Sequence, residues 1–141
     1  MKKIYESDEF ELYIDESIDI LSNAIIENTL EKFELFRRIF KQDKLIKSKV
    51  VIFGDLEQFR KDACEQRKID SIPDYSRGWF KKSENASFLC IDKIPLFETK
   101  LFYKWIGCGA QECFHNFYHH YYSGDDRITW FDAGVAQYFS G

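Results

Sequence analysis

The residues best suited to chemistry lie in one segment, QECFHNFYHH, at residues 111–120. Glu112 stands three positions before His115, which stands four positions before His119. On a helix these spacings put the side chains on one face. Two imidazoles one turn apart can bind one Zn²⁺, and a glutamate beside them can act as general base on metal-bound water. The segment indicates a metal site, a degraded metal site, or an aromatic core helix that contains histidines.

A second segment is TWFDAGVAQYF at residues 129–139, within which residues 130–139 are predicted to form a helix that packs on the first. Gly134 would allow the two helices to approach closely. The large apolar side chains of this segment are interpreted as core: Trp130, Phe131, Val135, Tyr138 and Phe139.

The QECFH segment, the Trp-Phe-Asp-x-Gly-Val-Ala-x-Tyr segment and the order of predicted elements together resemble the gluzincin zinc metallopeptidases. The closest resemblance is to the compact peptidase MA-like domains. Such domains carry His-Glu-x-x-His on a central helix, and a Glu within Trp-x-x-Glu-Gly-x-Ala on the next helix completes the zinc ligands. The resemblance implies a zincin-like fold with a central motif helix and a following C-terminal helix.

In one alignment Gln111 replaces the first histidine, Glu112 is the general base and His115 is the second histidine. The third ligand position then falls on Ala133, which follows His115 by 18 positions (133 − 115), an interval similar to that of the family. In the other alignment His115 and His119 are the ligands, and Asn116 replaces the base. Ala133 then follows too closely, so we prefer the first alignment.

Neither alignment gives a complete site. A Gln carbonyl is a poor zinc ligand, Ala133 has no ligating atom, and Asn116 cannot accept a proton. The resemblance therefore implies that Glu112 is a vestigial base and that His115 and His119 are weak or vestigial metal ligands. We expect no cofactor, or zinc if any metal binds.

Two other interpretations of the histidines stay open. They could be hydrogen-bonded core residues, or they could join Cys108 and Cys113 in a four-ligand zinc site, although that spacing does not fit a zinc finger. The chain has four cysteines, too few and too irregularly spaced for a disulfide framework, and they are interpreted as buried free thiols.

Composition limits the class of protein. The 141 residues suit one domain, 1–141, and the end of the chain close to the predicted last helix suggests a shortened form. The net charge of −4 argues against nucleic-acid or anionic-membrane partners, and no apolar run approaches the roughly 20 residues of a membrane helix.

The start, Met1-Lys2-Lys3, is not followed by a signal-peptide core, which predicts a cytoplasmic protein unless a leader has been removed.

Strands are predicted at residues 9–14, 50–53, 78–80 and 86–91, where apolar residues alternate or are β-branched. Helices are predicted from Asp15 or Ser17 to about Phe40, then at 56–64, about 99–122 and 130–139. The order β-α-β-α-β-β-α-α predicts an α+β domain with a small mixed sheet packed against helices.

These observations predict a metallopeptidase-like domain that has lost zinc binding and catalysis. In the resembled family an edge strand pairs with extended peptide, so a peptide or protein ligand at a sheet edge is the partner implied. The alternatives are an active zinc peptidase whose motif was altered by introduced substitutions, and an unrelated structural or interaction domain.

Overall fold

A computed structural model describes residues 1–73 and 76–91. They form a five-stranded sheet and two α-helices, which confirms the predicted α+β class. The strands are β1 (Lys2–Glu6), β2 (Phe10–Ile14), β3 (Ser48–Phe53), β4 (Gly78–Lys81) and β5 (Ala86–Cys90). The helices are α1 (Ser22–Ile39) and α2 (Leu56–Arg67), with 3-10 turns at Glu16–Leu21 and Lys82–Glu84.

The sheet is mixed, as predicted, with strand order β1-β2-β3-β5-β4. Its three inner strands are parallel to one another, and β1 and β4 pair antiparallel at the two edges. The parallel connection from β2 to β3 runs through α1, and the chain passes through α2 and β4 before it enters β5. Two connections through helices, with an antiparallel hairpin at each edge, therefore account for the mixed character of the sheet.

Alternation along the inner strands divides the apolar residues between two faces of the sheet. On β3, Val50 and Ile52 join one buried cluster, and Val51 and Phe53 join the other. The first cluster includes the α1 residues Ile25, Phe33 and Phe36 and the β2 residues Phe10, Leu12 and Ile14. The second includes the α2 residues Phe59 and Ala63 and the β5 residues Ala86, Phe88 and Cys90. The two helices therefore cover opposite faces of the sheet.

The α-helix α1 begins later than predicted, because a 3-10 turn precedes it. Asp15 is the N-cap, and its carboxylate accepts a hydrogen bond from the Ser17 backbone N–H at 3.1 Å. The first six residues form a 3-10 turn with a non-helical backbone at Ile18, and the α-helix starts at Ser22. Leu30 precedes the buried Phe33 by three positions, a spacing typical of one helix face, yet it is 41% exposed.

Helix α2 follows its predicted pattern closely. The Asp55 carboxylate accepts hydrogen bonds from the backbone N–H groups of Glu57 and Gln58, at 2.8 and 3.3 Å. Phe59 and Ala63, one helical turn apart, are both fully buried. The helix continues three residues beyond its predicted end and stops at Lys68, which has a left-handed backbone.

Strand β1 was not predicted, because its charged residues interrupt the alternation of apolar and polar residues that indicates a strand. Lys3 forms an ion pair with Glu6 at 3.2 Å, and Lys47 forms another with the same carboxylate at 3.2 Å. The hydrogen bond from Lys3, followed by that from Lys47, lowers the pKa of Glu6, and the same Glu6 contact raises the pKa of Lys3. Charged side chains on an edge strand also discourage pairing with other chains.

The Glu9 carboxylate, in the β1–β2 turn, forms hydrogen bonds with α1 and with the segment after it. It accepts hydrogen bonds from the Arg37 guanidinium and, at 2.8 Å, from the Leu45 backbone N–H. The Glu9 side chain is only 18% exposed, so water screens these contacts less than those of a surface pair.

Glu9→Gln is expected to lower the free energy of unfolding by about 1–2 kcal/mol, because the charge-assisted hydrogen bonds are weakened in a partly buried place. Urea denaturation would measure the change. The matched control is Glu34→Gln, which breaks an exposed ion pair to Arg38 within α1 and should cost less than about 0.5 kcal/mol. Equal costs for the two variants would contradict a structural role for Glu9.

Candidate functional site

The residues predicted to form the site are Gln111, Glu112, His115, His119 and Ala133, and all of them lie outside the described residues. The same holds for the two predicted helices that carry them and for Cys108 and Cys113. The described part of the chain therefore does not test whether the predicted ligands come together. Their roles, and the choice between the two alignments, stay predictions.

The described fold ends at one edge of the sheet. Strand β5 runs parallel to β2 and β3, so the three strands end at the same edge of the sheet. The Ile91 backbone N–H donates a hydrogen bond of 2.8 Å to the carbonyl of Phe53, which extends the pairing past β5. The described residues end here, at Ile91.

Two described carboxylates at this edge, Asp15 and Asp55, have structural partners. Asp15 accepts a hydrogen bond from the Gly54 backbone N–H at 3.4 Å, besides its cap to the 3-10 turn. Asp55 caps α2. Residues 1–73 and 76–91 contain no group of three or more His, Cys, Asp or Glu residues arranged to hold a metal ion. All three histidines of the chain belong to the motif segment, at positions 115, 119 and 120.

Among the described strands, β4 is the outermost on the side of the sheet next to β5. The Cys90 N–H donates to the carbonyl of Arg77 at 2.8 Å, so residues 77 and 90 form a hydrogen-bonded pair. Because such pairs alternate along an antiparallel ladder, the N–H and C=O of Gly78 point away from β5, toward the outer edge.

An aromatic stack lies on β4 and β5. The Trp79 ring stacks on Phe88 with centroids 4.6 Å apart and 14° between the planes, and the Arg67 guanidinium carbon is 5.6 Å from the Trp79 centroid. The indole Nε1 is buried and has no hydrogen-bond acceptor among the described residues, so the ring is held by stacking. Both strands were predicted, but the contact with Arg67 was not, since it depends on where α2 ends.

Two of the four cysteines, Cys64 and Cys90, lie in the described part of the chain. Cys90 is buried in β5, as predicted, whereas Cys64 is half-buried on α2. Both pack with the cluster on the α2 face. In the described part of the chain these thiols behave as small apolar side chains.

No family model, no curated protein and no solved structure matches the chain. Among residues 1–73 and 76–91, neither helix is long and apolar enough to cross a membrane.

Proposed function

We propose that the chain is a metallopeptidase-like domain of the gluzincin type that has lost its zinc site and acts by binding rather than by catalysis. The observation that carries the proposal is the pair of substitutions at ligand positions, Gln111 and Ala133, within segments that otherwise follow the family pattern. The mixed sheet with helices on both faces is compatible with that assignment at the level of fold class.

The chemistry of the proposed remnant follows from its donor atoms. A catalytic zinc site needs three protein ligands and one open position for water. In the preferred alignment His115 is the one strong ligand left, because the Gln111 carbonyl is neutral and Ala133 has no donor atom. Glu112 is still present, but it has no metal-bound water from which to accept a proton.

The first test is metal content. After incubation with excess Zn²⁺ and exhaustive dialysis, elemental analysis of the purified chain should give well below one zinc per chain, because so few ligands remain. With added Zn²⁺, the chain should not cleave a mixture of fluorogenic peptides in a metal-dependent way. Any background cleavage should persist when a chelator is added. One tightly bound zinc per chain, together with chelator-sensitive cleavage, would overturn the proposal and support the active enzyme instead.

The binding role that we propose is the capture of an extended peptide at the outer edge of β4. The Gly78 amide and carbonyl point toward this edge, where a peptide strand could continue the sheet through main-chain hydrogen bonds. The glycine also leaves room for a close approach of another backbone. The stacked Trp79 and the Arg67 guanidinium supply a rigid aromatic surface and a cation beside it.

Gly78→Pro tests this role, since proline removes an N–H that points outward and leaves the hydrogen bonds between β4 and β5 in place. Peptides selected from a display library on the native chain should bind Gly78→Pro about tenfold more weakly, which corresponds to one lost hydrogen bond. Ser83→Ala, in the exposed turn after β4, is the control and should leave affinity unchanged. Failure to select any peptide, or equal affinity for all three proteins, would contradict binding at β4.

A further inference from the structure

We draw no further inference here: the strongest candidate, the Trp79–Arg67 stack beside the outer edge of strand β4, belongs to the peptide-binding edge already proposed, and nothing in the described part of the chain shows what else covers it.

Discussion

The double substitution of Gln111→His and Ala133→Glu is expected to give a protein that keeps one zinc ion per chain through dialysis. It restores His-Glu-x-x-His on the first segment and the third ligand on the second, which completes the ligand set of the resembled family. Zinc affinity should rise by roughly three orders of magnitude or more, because complete protein zinc sites bind with about 10–16 kcal/mol. Competition titration with a chromophoric chelator would measure the change.

Control variants separate a restored site from the mere addition of ligands. Each single substitution should give little of the gain, since three ligands are needed to hold the ion. A further control combines Gln111→His with Ala133→Gln. Glutamine is nearly the same size as glutamate, but its amide oxygen is neutral, so this variant should bind zinc far more weakly than the glutamate variant.

The same experiment distinguishes the two alignments of the motif. Asn116→Glu with Ala133→Glu completes the alternative, in which His115 and His119 are the ligands. A zinc gain in this variant alone would show that the second alignment is correct. No gain in either double variant would contradict the metallopeptidase resemblance itself and would favour the unrelated structural or interaction domain.

Much of the described fold could be predicted because its signals are local. The run at residues 50–53 is β-branched and apolar, and it forms the middle of β3. Asp55 precedes a helical pattern and caps α2. The hairpin of β4 and β5 could be predicted from two apolar runs around a polar turn, in which Asn85 has the left-handed backbone that asparagine tolerates.

The features that could not be predicted depend on contacts distant in sequence. Strand β1 consists largely of charged residues, and it is a strand because it pairs with β2. Its Lys3 forms an ion pair with Glu11, and its Glu6 forms one with Lys47. Leu30 has the helical spacing of the buried α1 residues, but its exposure depends on which elements pack over it and is not encoded in that spacing. The ligands of the candidate site come from two separate segments, so the sequence supplies their identities but not their distances.

Phe36→Ala is expected to cost about 3–5 kcal/mol of the free energy of unfolding. The Phe36 side chain is fully buried in the cluster between α1 and the sheet, and its ring lies 6.0 Å from that of Phe33. Its removal leaves a cavity that the strands cannot fill without distortion. Because domains of this size are stable by only about 5–15 kcal/mol, the variant should be close to unfolding.

Leu30→Ala, on the same helix but exposed, is the matched control and should cost less than about 1 kcal/mol. Phe59→Ala, on the α2 face, should cost about as much as Phe36→Ala, since Phe59 is also fully buried. Chemical denaturation followed by circular dichroism and by tryptophan fluorescence would measure all three.

If the chain is one domain, both signals should change in a single transition for each variant, because the two apolar clusters share strand β3. Separate transitions, or a Phe36→Ala cost no larger than that of Leu30→Ala, would contradict a single cooperative unit built on both faces of the sheet.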